Sequence, residues 1–133
     1  MKVRDRVVAT RYRLIEVIGK GGMGVVWRAR DELLDRDVAV KEVRPHLEYE
    51  ERQAREAYRR MLREARSAAR LNHPGIITIH DVLQEGERPC IVMELIDGRS
   101  LDDLIKANGP LPARQVAMIG LRVLDALCAA HRY

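Results

Sequence analysis

Short runs of apolar, β-branched and aromatic residues alternate with polar or glycine-rich links through much of the first 95 residues. Runs of this length and composition, bounded by turn residues, are typical of β-strands. The polar link over residues 31–36 is suited to a hairpin turn, and Gln-Glu-Gly-Glu at residues 84–87 is suited to another. The pattern predicts five strands: Tyr12–Ile18, Val25–Arg30, Asp37–Val43, Ile76–Val82 and Pro89–Leu95.

Helical patterns occupy much of the remaining chain. A segment rich in Ala, Glu, Arg and Leu, with no internal Gly or Pro, predicts a helix from about Glu48 to Leu71. Ser100 is suited to be the N-cap of a short helix whose first turn carries two aspartates. A longer helix is predicted from Pro112 to His131. Five strands and one helix, then a short link and more helices, predict an α+β fold followed by the opening of an α-helical domain.

Composition and charge set only wide limits on the number of domains and the class of protein. The chain has 133 residues, 47% of them apolar, which suits one domain or part of one. Its formal charge is +4, and many of its 24 Lys and Arg lie in Arg52–Arg70. Nucleic-acid binding is one interpretation of that stripe, but no aromatic residues alternate with the arginines, so a solvated, salt-bridged helix face is favoured and no nucleic-acid partner is expected. The expected pairs are Glu51 with Arg55, and Glu56 with Arg59 and Arg60.

The cysteines and the absence of a long apolar run bear on location. Cys90 and Cys128 are too few and too far apart for a metal cluster, and they suit a reducing cytoplasm. No apolar run approaches the roughly 18 residues of a membrane span, and Met-Lys-Val-Arg-Asp does not resemble a signal peptide. The sequence predicts a soluble cytoplasmic chain, which is compatible with a membrane anchor downstream in a longer form.

The glycine-rich run Gly19–Gly24 lies between the first two predicted strands. A hairpin tip of this kind can place its backbone N–H groups against a polyphosphate, because glycine puts no Cβ in the way. A dinucleotide-binding fingerprint would need a helix after the last glycine, and a P-loop would need Ser or Thr after Lys20. The chain has Val-Val-Trp and Gly21 at those places. A tight turn without a ligand is the remaining alternative.

Lys41 and Glu64 both need a partner. Lys41 lies at the inner end of an apolar strand, and Glu64 borders the apolar helix positions Met61, Ala65, Ala68 and Leu71. A carboxylate near a core requires a cation from elsewhere in the fold. We therefore predict an ion pair between them, with their charged groups within about 4 Å; the alternative is that both are ordinary charges at the rim of the core. A Glu64 side chain that faces solvent would rule out this interpretation of the site.

Six short motifs then occur in a fixed order: Gly19-x-Gly21-x-x-Gly24-x-Val26, Val38-Ala39-Val40-Lys41, Arg63-Glu64-Ala65, Leu71-Asn72-His73-Pro74, Ile91-Val92-Met93-Glu94-Leu95 and Asp97-Gly98-x-Ser100-Leu101. Together they resemble the eukaryotic-type serine/threonine protein kinases of bacteria, especially those of actinobacteria, from Tyr12 to Tyr133. The resemblance implies a kinase N-lobe in residues 1–96, with a five-stranded antiparallel sheet and one long helix. The hinge exit and the first two helices of the C-lobe would follow in residues 97–133.

The resemblance also implies an ATP site, with Mg²⁺ in a complete kinase. The loop would cover the phosphates, Lys41 would hold the α- and β-phosphates and be oriented by Glu64, and Val26 and Ala39 would enclose the adenine. Met93 would be the gatekeeper, the backbone from Glu94 to Ile96 would bind the adenine, and Ser100 would lie near the ribose. The implied nucleotide-binding residues are Ile18, Gly19, Lys20, Gly21, Gly22, Met23, Gly24, Val26, Ala39, Lys41, Glu64, Met93, Glu94, Ile96 and Ser100.

Two features depart from the family pattern. The stretch from Lys41 to Glu64 is longer than usual, with extra residues around His46–Glu56. The chain also has no Phe, which excludes an Asp-Phe-Gly motif, and His131-Arg132-Tyr133 resembles the end of a helix rather than a catalytic loop. The catalytic Asp is therefore expected beyond the C-terminus.

Two functions follow from these sequence features. The first is the N-terminal portion of a kinase that transfers the γ-phosphoryl group of ATP to protein Ser or Thr; the second is a non-catalytic nucleotide-binding or regulatory module, or the remnant of a truncated kinase gene. For the chain alone we expect no phosphotransfer and at most weak ATP binding. We also expect self-association through an apolar face of the helix 112–131, formed by Val116, Ile119, Val123, Leu124 and Leu127.

Overall fold

The computed structural model describes residues 6–22, 24–43, 51–86 and 88–133. Its strands are β1 (Val7–Val8), β2 (Tyr12–Gly21), β3 (Gly24–Asp31), β4 (Arg36–Val43), β5 (Ile79–Glu85) and β6 (Arg88–Met93). Its helices are α1 (Glu51–Ala69), α2 (Leu101–Asn108) and α3 (Ala113–Ala130).

The strands form one antiparallel sheet in the order β1-β2-β3-β4-β6-β5. All five predicted strands are present, and the two-residue strand β1 was not predicted, because two valines are too short a run to show a period. The strand β5 begins at Ile79 rather than at Ile76. The N–H of Ile76 donates to the carbonyl of His73 at 3.0 Å, so this part of the chain is a turn.

One face of the sheet carries the hydrophobic core. Its fully buried residues come from alternate positions of successive strands, as the two-residue period of a strand requires. They are Val8, Tyr12, Leu14, Ala29, Val38, Val40, Cys90 and Val92. The intervening residues of β3 and β4, such as Val26 and Lys41, project to the opposite face, and the candidate site is built there.

The turn between β3 and β4 is held by the buried carboxylate of Asp31. The guanidinium of Arg11 donates two hydrogen bonds to it, each 2.8 Å long. The backbone N–H groups of Leu33 and Leu34 donate to the same carboxylate at 3.2 Å. These donors hold the pKa of Asp31 far below its usual value, with the Arg11 hydrogen bonds as the main cause. The turn fixes the register in which β4 returns along β3.

Helix α1 packs against β5 and buries Ala65. It was predicted from about Glu48, and the structure has it from Glu51, with residues 48–50 outside the described part. The predicted pairs of Glu51 with Arg55 and of Glu56 with Arg59 or Arg60 are not formed. Glu56 instead lies 3.5 Å from Arg52. Such pairs on an exposed helix face contribute only about 0.3–0.5 kcal/mol, so solvation competes with them easily.

The contacts divide the chain into two compact units, residues 1–70 with 78–95, and residues 71–77 with 96–133. The boundary between N-lobe and C-lobe after residue 96 stays a prediction. The loop 71–77 belongs to the second of these units. In that unit Ser100 caps α2 as predicted, by a capping box with Asp103, and α3 lies within the predicted bounds. None of the helices in the described ranges is long and apolar enough to cross a membrane.

Candidate functional site

The glycine-rich run forms the tip of the β2–β3 hairpin. Gly21 pairs with Gly24, and Gly22 lies in the turn between them. Met23, also predicted to belong to the site, lies outside the described residues. The predicted hairpin between two strands is thus confirmed, and a helix after the last glycine is not found: β3 begins directly at Gly24.

The glycines of this hairpin serve two different purposes. Gly24 has a φ of +143°, and a Cβ there would lie 1.9 Å from the carbonyl oxygen of Glu42. Glycine is therefore required at this position by the sheet itself. A Cβ on Gly21 or Gly22 would meet no heavy atom of the described protein within 4 Å. At these two positions glycine leaves the backbone uncovered, which is what close approach by a phosphate needs.

A row of cross-strand partners runs from the hairpin into the sheet. Gly19 lies opposite Val26, Val26 opposite Lys41, and Lys41 opposite Ile91. Directly opposite residues in an antiparallel pair project to the same side. The Lys41 side chain therefore shares one face of the sheet with Val26, next to the strand that leads into the glycine turn.

Ala39 and Met93 lie on the same face, one step along the strands from Lys41 and Ile91. Ala39 is buried, whereas Val26, Lys41 and Met93 are each half-buried. Three apolar side chains and one lysine thus lie on the face opposite the core. Such a surface offers apolar side chains against which a flat ring can pack, and a cation that can bind phosphate groups.

Ile18 and Lys20 flank this row on β2. Ile18 is the extra residue of a β-bulge between the pairs formed by Val17 and Gly19, and half of its surface is exposed. Lys20 lies opposite Val25 and is exposed. A bulge re-aims the side chains around it, so the position of Ile18 at the rim could not be read from strand alternation.

The predicted ion pair between Lys41 and Glu64 is not formed. Glu64 is exposed, and none of the ion pairs within 4.0 Å in the described part of the chain includes Lys41. The reason is the position at which helix α1 packs on the sheet. Helix α1 packs against β5, which is two strands away from β4, or about 10 Å at the usual strand spacing. It turns Ala65 inward, and Glu64, about 100° further round, outward.

Glu94 follows β6, and one of its two backbone polar groups already has a hydrogen-bond partner. Its N–H donates to the carbonyl of Thr78 at 2.8 Å, and its side chain accepts from the N–H of Thr78 at 3.0 Å. The carbonyl of Glu94 and the N–H of Ile96 take no part in the hydrogen bonds of the described residues. Each of these two residues therefore has one backbone polar group that a ligand could use.

Ser100 has a structural role in addition to any contact with a ligand. Its hydroxyl accepts from the Asp103 N–H at 3.0 Å and lies 2.7 Å from the Asp103 carboxylate, to which it donates. These bonds hold the pKa of Asp103 below its usual value. One acceptor lone pair of the hydroxyl remains for a further donor.

The sequence and the fold were compared with known proteins. The model of the protein kinase domain family matches residues 12–133. A glycine hairpin and a lysine on the facing side of an antiparallel sheet are the parts of that family which cover and hold nucleotide phosphates. The chain belongs to the protein kinase family.

The relatives are bacterial serine/threonine kinases. The chain is 39% identical over 125 residues to the serine/threonine-protein kinase PrkC of Bacillus subtilis, and covers 19% of that protein. It is 40% identical over 131 residues to the serine/threonine-protein kinase PknB of Mycobacterium leprae, and covers 20% of it. In each case 94% of this chain is covered.

A solved structure supports the fold. The PknI kinase domain of Mycobacterium tuberculosis superposes with a TM-score of 0.79 and 29% identity, covering 95% of this chain and 50% of that domain. The chain therefore spans about one fifth of the curated relatives and about half of the solved kinase domain. The matched half is the amino-terminal part of the kinase domain.

Proposed function

We propose that this chain is the ATP-binding portion of a serine/threonine protein kinase. One observation carries the proposal: an uncovered glycine backbone at Gly21 and Gly22 lies at the end of the hairpin whose strands lead, through Val26, to Lys41. Backbone that no side chain covers, on a hairpin next to the strand of Lys41, suits a polyphosphate.

The resemblance to protein kinases suggests which residues would contact the rest of the nucleotide. Val26 and Ala39 would cover the adenine ring, and Met93 would limit the depth of its pocket. The carbonyl of Glu94 would accept from the adenine amino group, and the N–H of Ile96 would donate to a ring nitrogen. Ser100 would contribute a weaker polar contact near the ribose.

In the reaction of the family, the γ-phosphoryl group of ATP passes to a Ser or Thr hydroxyl of a protein substrate. The part played by this chain would be to position the phosphates, through the glycine backbone and Lys41. Mg²⁺ accompanies ATP in that reaction. We assign no magnesium ligand and no catalytic Asp to this chain.

Calorimetric titration with ATP tests the proposal. We expect weak binding by the chain, and an affinity at least about tenfold lower for Lys41→Met, because a hydrogen bond to a charged group contributes about 1.5–3 kcal/mol. Lys106→Met is the matched control, since Lys106 lies in α2 and pairs there with Asp102. Equal affinities of the two variants for ATP would contradict the assignment of Lys41.

We also propose self-association through α3. Most of the apolar side chains predicted on one face of this helix are exposed, among them Val116 at 53% and Leu124 at 58%. Ile119, which the sequence placed on the same face, is half-buried. A stripe of this kind favours burial against a second apolar surface. Val123→Glu with Leu127→Glu should shift the sedimentation profile toward the monomer, whereas a monomeric wild-type chain would exclude the idea.

A cytoplasmic location remains part of the proposal. ATP is the expected ligand, and both Cys90 and Cys128 are free thiols, which suit a reducing compartment.

A further inference from the structure

Helix α1 carries a stripe of arginines, Arg52, Arg55, Arg59, Arg63 and Arg66, which we call the arginine stripe. Their spacing of three or four residues matches the helical repeat, so they lie within a sector of about 80° and extend over about 21 Å. All five side chains are exposed. The buried Ala65 lies about 120° away from the centre of this sector, so the stripe does not face the sheet.

The stripe is poorly neutralised within the described part of the chain. Only Arg52 has a carboxylate within ion-pair distance there, that of Glu56 at 3.5 Å. Four arginines of the helix, Arg59, Arg60, Arg63 and Arg66, line one open depression together with Glu56 and Leu62. Like charges one turn apart on a helix destabilise it by a few tenths of a kcal/mol each. An arrangement that costs stability and serves no contact in the core points to a partner.

The chemistry of the stripe indicates what that partner carries. All the cations of α1 are arginines, whose planar guanidinium groups bind carboxylates or phosphates through two parallel hydrogen bonds. The exposed glutamates Glu51, Glu56 and Glu64 lie on the same helix. They would repel a continuous phosphate backbone, and the helix has no exposed aromatic residue on which a base would stack.

We propose that the arginine stripe binds an acidic α-helical segment of a partner protein. On a helix with carboxylates three and four residues apart, the carboxylates are spaced at the same interval as the arginines of the stripe. Each carboxylate can therefore face an arginine along the whole length of the stripe. Glu51, Glu56 and Glu64 would meet basic residues at the flanks of such a helix and fix its register. This surface is separate from the nucleotide site and does not depend on it.

A labelled peptide of three Glu-Ala-Ala-Glu-Ala-Ala-Ala repeats tests the proposal by fluorescence anisotropy on the full chain. We expect binding at physiological ionic strength that weakens as salt is added. A peptide of the same composition in scrambled order, with its glutamates spread around the helix, should bind several-fold more weakly. Equal binding of the two peptides would overturn the proposal, because the match of spacing would then have no effect.

Two triple variants separate the stripe from net charge. Arg55→Gln, Arg59→Gln and Arg63→Gln together should weaken binding about tenfold, since each exposed charge pair contributes a factor of about two. The control is Arg114→Gln, Arg122→Gln and Arg132→Gln together, which removes the same charge from exposed positions of the second unit and should change binding less than twofold. Equal losses in both variants would overturn the proposal. Gln is as good a helix former as Arg, so both should fold, and circular dichroism checks this.

A third variant and a second probe test whether the guanidinium groups are required and whether the stripe prefers carboxylates to phosphates. Replacing the same three arginines by lysine keeps the charge but removes bidentate binding, and should weaken the peptide complex a few-fold. A labelled DNA oligonucleotide of similar length should bind more weakly than the peptide. Tighter binding of the DNA through the same arginines would replace the acidic helix by a nucleic acid and so contradict the proposal.

Discussion

The imidazole Nε2 of His73 lies 2.9 Å from a carboxylate oxygen of Asp125 in α3. Its Nδ1 accepts a hydrogen bond of 2.9 Å from the backbone N–H of Gly75. Because that N–H can only donate, Nδ1 carries no hydrogen and Nε2 donates to Asp125. One side chain of the Leu-Asn-His-Pro motif thus ties the loop 71–77 to α3, a contact that no sequence pattern predicted.

Gly75→Ala should loosen this link. A Cβ there would lie 3.0 Å from the Cβ of Ala126 and 3.1 Å from Nδ1 of His73, so the loop would have to move. We expect the free energy of unfolding to fall by about 1–3 kcal/mol, as for other overpacked positions. Gly120→Ala in α3 is the control, since no atom lies within 4 Å of its Cβ position, and it should add up to about 1 kcal/mol of helix stability. Urea unfolding measures both, and a neutral Gly75→Ala would contradict the link.

Gly24→Ala and Gly22→Ala should differ in what they damage. At Gly24 the positive φ and the 1.9 Å approach to the Glu42 carbonyl leave no room for a methyl group, so the free energy of unfolding should fall by at least about 3 kcal/mol. At Gly22 the Cβ position is open, so stability should be nearly unchanged. Gly22→Ala should instead weaken ATP binding, because a Cβ would stand between the backbone and a phosphate. Equal stabilities of the two variants would show that the hairpin does not have this geometry.

Asp31→Asn should remove part of the pH dependence of stability. The pKa of Asp31 is lowered in the folded protein, so its contribution is complete above the pKa of the unfolded chain, about 4, and is lost as the pH falls toward the folded value. The wild-type chain should therefore lose stability below about pH 4, and the variant should lose less there. At neutral pH the variant should be about 2–3 kcal/mol less stable, since bonds to a charged group are replaced.

Asp35→Asn is the matched control for this experiment, because Asp35 lies in the same turn with 88% of its side chain exposed. Asn tolerates the positive φ of 52° at this position, so the turn itself is kept. Chemical denaturation between pH 3 and pH 7 compares the three proteins. If the free energy of unfolding changed with pH in the same way for wild type and Asp31→Asn, Asp31 would be excluded as the source of the pH dependence.

Glu64→Gln should leave ATP binding by this chain unchanged within about twofold, in contrast to Lys41→Met. Glu64 is exposed and does not pair with Lys41, so its charge does not orient the lysine in this arrangement. Titration calorimetry of both variants beside the wild type measures the difference. A loss as large as that of Lys41→Met would mean that nucleotide binding draws α1 inward and forms the pair.

Elements that depend on neighbouring residues could be predicted from the sequence. The glycine hairpin and the cap at Ser100 follow from backbone freedom and short-range hydrogen bonds, so local order specified them. The strand positions of Val26, Ala39 and Lys41 follow from a period of two. Their placement on one face was therefore also predictable.

Tertiary structure alone decided the relations between distant elements. Glu64 faces solvent because α1 packs against β5 and not against the strand of Lys41, and a helix rotated by one residue would present another side chain. Asp31 finds Arg11, and His73 finds Asp125, across 20 and 52 residues of sequence. Pairings of this kind are set by how whole elements pack, since a single charged residue carries no local signal of the partner it will meet.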